Sequence, residues 1–142
     1  MMQEVHLERY FMGRLEHGAD LMDALNQTCQ RLQIGLGKVS AIGAVQRAVL
    51  GYYDQGQQVY QTISLNQHME IVQLTGNVSI KDDKPFVHAH VTLSDATGRT
   101  YGGHVFPGTI VFACECVIQA FRGPVLQRAL DTTTGLPLWQ MQ

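Results

Sequence analysis

Three histidines, His88, His90 and His104, fall on two runs that read as the arms of one β-hairpin. The run Phe86-Val87-His88-Ala89-His90-Val91-Thr92-Leu93-Ser94 alternates with period two, which puts His88 and His90 on the same face. Asp95-Ala96-Thr97-Gly98 then reads as a type I turn closed by a left-handed glycine. With Asp95 opposite Arg99, His104 lies directly across from His90 and one step from His88. Facing residues have Cβ atoms roughly 4.5–5.5 Å apart, so three imidazoles converge on a patch the size of one metal ion. Imidazole nitrogen suits Zn²⁺, and Ni²⁺, Co²⁺ or Cu²⁺ would bind the same set. Three neutral histidines with a fourth position open are the pattern of catalytic rather than closed structural sites. A small anionic ligand at the open position, or hydrolytic or lyase chemistry by metal-bound water, is the chemistry such a site offers. A polar sheet face with imidazoles bonded to water is the plain alternative.

The other reactive side chains are read more plainly. Glu115 interrupts an apolar run and needs a partner, because a buried unpaired carboxylate is costly. It is read either as a buried acid held by an arginine or hydroxyl, including one across a subunit interface, or as acting at the metal. There it would be a fourth ligand, an orienter of a ligand or a general base, which makes it the one catalytic candidate. Glu70 lies in another apolar strand and is read as structural. Cys114 and Cys116 are read as core residues. Gly102 and Gly103 permit close approach of backbone or ligand, and His6, His17 and His68 are isolated and solvated. No phosphate-cradling loop or nucleophile elbow is present.

The elements that must position these residues are mostly strands. One helix stands out, with Asp20 as N-cap, Asp23 three residues on, an apolar stripe of Leu21, Met22, Leu25, Cys29 and Leu32, and Gly35 and Gly37 as its stop. Strands are expected over 5–15, 38–54 with a bend at Gly43, 59–65, 69–80, 86–94, 99–106, 108–121 and 125–130, with a polar loop over 81–85. In the strand over 108–121, Ile110, Phe112, Cys114, Cys116 and Ile118 form one apolar face and Val111, Ala113, Glu115 and Val117 the other, with Glu115 in its middle. A strand apolar on both faces is buried on both, and one helix covers one face only, so a partner subunit is expected on the other. The fold class is α+β, a mostly antiparallel sheet with one main helix in a single compact domain over 1–142, its core about 5–130 and a loose tail over 131–142.

The 142 residues carry a net charge of −2 and scattered Lys and Arg without a run, weak support for nucleic-acid binding. Residues 1–9 lack the basic start and apolar run of a signal peptide, no stretch reaches the roughly 18 apolar residues of a membrane helix, and the three cysteines form no framework. A cytoplasmic location without membrane attachment is expected.

Several segments, in order, resemble the PPC domain family (plant and prokaryote conserved domain) in its stand-alone bacterial form. They are Gly18-Ala19-Asp20-Leu21, Val39-Ser40-Ala41-Ile42-Gly43-Ala44, Met69-Glu70-Ile71-Val72-Gln73-Leu74-Thr75-Gly76-Asn77-Val78, His88 to Ser94, Gly98-Arg99, Gly102-Gly103-His104 and Glu115-Cys116-Val117-Ile118. The resemblance implies a homotrimer and implies that His88, His90 and His104 match the metal-binding histidines of prokaryotic members. Plant members bind DNA through an AT-hook. Here that Arg-Gly-Arg-Pro core is absent, Arg122-Gly123-Pro124 being a fragment, and Gln67-His68-Met69-Glu70 departs from the plant Gly-Arg-Phe-Glu. The sequence reading is therefore a metal-binding, zinc-favouring trimeric domain with room for a small ligand, enzymatic activity left open. A DNA-binding regulatory protein is the alternative carried by resemblance alone.

Overall fold

The computed structural model describes residues 1–141. Asp20 opens the one helix among them, α1 (Leu21–Arg31), by accepting through its side chain from the backbone N–H groups of Met22 and Asp23, donors the first turn leaves unpaired. Its second carboxylate oxygen accepts from the Gly108 N–H and ties the helix start to a distant loop. Leu21, Met22, Leu25 and Cys29 form the buried stripe. The helix ends before Gly35 and Gly37, the predicted stop. Gln33 enters the left-handed region at φ 56, its N–H bonds to Gln30 O, and the Ile34 N–H bonds to Cys29 O. This is a Schellman closure made without glycine.

The strands are β1 (His6–Leu15), β2 (Gly37–Asp54), β3 (Val59–Leu65), β4 (Met69–Lys81), β5 (Lys84–Ser94), β6 (Thr100–Val105), β7 (Ile110–Arg122), β8 (Arg128–Leu130) and β9 (Pro137–Trp139). The first seven form one sheet in the order β1-β7-β2-β4-β5-β6, with β3 added on β2, and every ladder in it is antiparallel. The long β2 organises it. Its first half lies between β7 and β4, and its second half pairs with β3 and, at Leu50 and Gly51, with β6. That last pairing curls β2, β4, β5 and β6 into a closed ring. The bend is made at Gly43, where φ is +143 and the β4 register shifts. A side chain there would run into the Ala113 carbonyl. One side of the sheet, with α1, encloses the core of Val39, Leu74, Val87, Leu93, Val105 and Ile118.

Three expectations are corrected. The polar loop over 81–85 is a two-residue turn: Asp82 and Asp83 have φ 50 and 61, and β5 begins at Lys84. Two consecutive left-handed residues make a type I′ turn, whose twist matches the flanking strands. On β7, Val45 pairs with Val111 and Ala44 with Ala113, so Phe112 is an extra, bulged residue. The bulge inverts the alternation. Val111 is buried together with Cys114, Cys116, Ile118 and Ala120, while Phe112, Ala113 and Glu115 are exposed. The strand is thus buried on one face of the single chain, and Glu115 is not a buried acid. Lastly, 131–141 is not a loose tail, though Gln142 lies outside the described residues. β8 and β9 pair as a hairpin, closed by Asp131 accepting from Thr134 N–H and Oγ1–H.

The outer face of the sheet carries exposed apolar side chains, among them Met12 (83% exposed), Ile42, Val72 and Phe112 (56%). No helix among the described residues is long and apolar enough to cross a membrane.

Candidate metal centre

The β5–β6 hairpin sets the geometry. Asp95 Oδ1 accepts from the N–H groups of Thr97 and Arg99 and from the Thr97 hydroxyl. Gly98 sits at φ 80 and the Asp95 N–H reaches Arg99 O. These bonds hold the predicted turn, and the register that follows pairs His90 with His104 and Ser94 with Thr100. The same register meets β4, where His88 faces Asn77 and His90 faces Thr75.

The structure brings the three predicted histidines together. The rings of His88 and His104 lie 4.9 Å apart between centroids, His88 and His90 5.1 Å, and His90 and His104 5.5 Å. Each offers one nitrogen, and these lie within 4.8 Å of one another. A tetrahedral zinc with Zn–N of 2.0–2.1 Å holds its nitrogens ~3.3 Å apart, a contraction that imidazole rotation can supply. His90 is exposed; His88 and His104 are half-buried. Burial first, then the adjacent imidazole and Arg128, lower His88 and His104 from 6.5 to about 4. Both are therefore neutral at physiological pH, the form that binds metal. His104 Nδ1 is buried with no hydrogen-bond partner. A buried ring nitrogen left over in this way fits an ion or its ligand better than a structural histidine, whose polar atoms are satisfied.

The wall behind His104 is aromatic. Tyr60 and Phe106 each place a ring 5.0 Å from it and 5.1 Å from each other. Gly51, opposite His104 in register, leaves room for them: a Cβ there would run into the Phe106 ring. Gly103 approaches backbone, its absent Cβ 2.8 Å from Gly51 O.

Arg128, on β8, stands beside the histidines and is not among the residues that the sequence singles out. It donates to Ser79 Oγ (2.8 Å), Asn77 Oδ1 (2.7 Å) and Pro137 O (2.9 Å). Its guanidinium lies 5.5 Å from the Phe86 ring and 5.7 Å from that of Trp139. With His88 and His104 it lines a cavity of about 230 Å³. The hairpin that carries it has a local signal, Asp131 and Gly135 punctuating two short runs, but nothing beside Arg128 marks its distant contacts.

The remaining candidates lie elsewhere. Glu115 stands on β7, and in the register β7-β2-β4-β5 it is three strands from His90, roughly 14 Å at ~4.8 Å per strand. It faces Arg14 in register and is not among the grouped ligands. Glu70 is exposed. Cys114 and Cys116 are buried, and burial raises both thiols, Cys114 to about 12. Of the isolated histidines, His17 sets Nδ1 2.7 Å from Phe112 O, while His6 and His68 are exposed.

A family model described as the Plants and Prokaryotes Conserved (PCC) domain matches residues 2–122. A crystal structure of a metal-containing protein from Archaeoglobus fulgidus superposes with a TM-score of 0.94 at 42% identity, covering 99% of each chain. A plant- and prokaryote-conserved protein from Pyrococcus horikoshii superposes with a TM-score of 0.94 at 32% identity, covering 100% of this chain and 98% of that one. A bifunctional GlmU protein from a Synechococcus strain is 31% identical over 113 residues, 79% of this chain; the match spans 17% of that protein's length.

Proposed function

This chain belongs to the Plants and Prokaryotes Conserved domain family, and from that premise we propose that it is a transition-metal-binding domain, zinc its ion, that works as a homotrimer and receives a small ligand beside the metal. The observation that carries the reading is the convergence of His88, His90 and His104, nitrogens within 4.8 Å. The donor set is unspent: no hydrogen bond joins any of the three rings to another described residue, and His104 Nδ1 is an orphan. The metal of the Archaeoglobus protein, at 42% identity over 99% of each chain, supports the same reading.

Zinc held by His88, His90 and His104 would supply Lewis acidity toward an exchangeable ligand. The chain's own residues do the rest. The β5–β6 register sets His90 and His104 opposite each other, their rings near perpendicular at 82°, and burial keeps His88 and His104 unprotonated. Tyr60 and Phe106 wall the back of His104, so a ligand enters from the side of Arg128. The trimer is supported by the uncovered apolar side chains Met12, Ile42, Val72 and Phe112 on the outer face, a pattern that marks an interaction surface.

The test is substitution. His88→Ala, His90→Ala and His104→Ala should each lose zinc while circular dichroism stays unchanged, because the core lies on the opposite face. Thr92→Ala, the next residue on the same face, should keep its zinc. Full retention in the histidine variants would place the metal elsewhere. Joint loss of metal and fold would make the ion structural and close the ligand reading.

A further inference from the structure

Arg128 is a charged group held in place without a counter-ion. Its three hydrogen bonds go to a hydroxyl, an amide oxygen and a backbone carbonyl, all uncharged. No carboxylate comes within 4.0 Å of it among the described residues, where the one ion pair is His6 with Glu4. A guanidinium has five N–H donors, so two remain unused. The group is half-buried, and burying an uncompensated charge is costly, so such positions are met with a partner. The Phe86 and Trp139 rings lie 5.5 and 5.7 Å from the guanidinium and, with the three hydrogen bonds, hold it in place. The side chain is therefore pre-organised before any ligand arrives.

The cavity it shares with His88 and His104 says what that partner is. Lys81 adds a second cation, its Nζ 5.1 Å from the Phe86 ring. Leu136, Leu138 and Phe106 make the other walls apolar. At about 230 Å³ the space falls below the roughly 300–1,000 Å³ of pockets for drug-sized ligands. Planar guanidinium edges match carboxylate oxygens, and the apolar walls match a short hydrocarbon tail. We propose that Arg128 and these walls form the recognition subsite for a small aliphatic carboxylate, docked by its charged end against Arg128 beside the three histidines. The proposal rests on the reading of those histidines as the metal site for what the ligand does there, but not for the ligand's binding. It also gives the β8–β9 hairpin a purpose: it closes the cavity and carries the anion-binding residue.

Trp139 is the one tryptophan of the chain and lies on the Arg128 guanidinium, so its fluorescence reports this subsite with or without metal. Butyrate, its neutral analogue butyramide and inorganic phosphate are titrated into metal-free and zinc-loaded protein. Butyrate should give a saturable response at least about tenfold tighter than butyramide. Arg128→Met should remove that difference with zinc content and circular dichroism unchanged, and Arg128→Lys should keep part of it. Equal binding of acid and amide, Arg128→Met within about twofold of the wild type, phosphate binding tighter than butyrate, or no response in either form would overturn the proposal. If Arg128→Met fails to fold, the acid–amide comparison on the wild type still decides. A protein that takes up no zinc yet prefers butyrate would end the metal reading and leave this one standing.

Discussion

His88 and His104 differ from the exposed His90 in their burial, and that difference is measurable. Burial, the neighbouring ring and Arg128 hold both near 4, against 6.5 for a free imidazole. The folded chain thus stays unprotonated where the unfolded chain binds protons. Stability linked to these groups is fully present above about pH 6.5 and is lost as pH falls toward about 4. Urea midpoints of the metal-free protein should therefore decline across that window, and His104→Ala should show a shallower decline. A midpoint that is flat in both would show that these rings are not desolvated. The thiols should be inert by the same physics: Cys29 and Cys114 are raised to about 12 by burial first and by Cys116 second, so thiol reagents should label neither without denaturant.

At the scale of elements, the hairpin that carries the histidines was legible because turn chemistry and register agree. Asp95 and Gly98 specify the turn, the turn specifies that His90 meets His104, and the alternation then places His88 on the same face. β7 was misread because a single bulged residue, Phe112, shifts the side-chain period, and nothing local in Ile110-Val111-Phe112-Ala113 marks it. Its cause is tertiary: Gly43 on the neighbouring strand bends against Ala113. Gly43→Ala should accordingly cost more than about 1 kcal/mol, since φ is +143 and the new Cβ meets backbone that cannot rotate away. Denaturant midpoints with an unchanged m-value would register it. A loss below a few tenths of a kcal/mol would mean that the bend has another origin. Arg128 was missed for a related reason. Its partners, Asn77 and Ser79, lie 51 and 49 residues away, and a lone arginine in a short strand carries no local mark of such contacts.

The whole molecule presents one enclosed face and one open face. On β7 the uncovered side chains depart from the expected face at one place, Phe112 exposed and Val111 buried, while Ala113 and Glu115 of that face are exposed. The need for cover remains, since Met12, Ile42 and Val72 join Phe112 on the open face. Sedimentation at micromolar concentration should give a trimer, and Phe112→Asp should shift it toward monomer; a monomeric wild type would remove the assembly from the account. With a net charge of −2, duplex DNA should bind no tighter than about 10⁻⁶ M near physiological salt, and a tighter, steeply salt-dependent affinity would restore the DNA-binding alternative. The proposed metal is the decisive feature of the molecule. Elemental analysis of protein purified without a metal-affinity tag should find about one transition-metal ion per chain, chiefly zinc. A chain that emerges metal-free, and that fails to take up zinc when it is supplied, would contradict it.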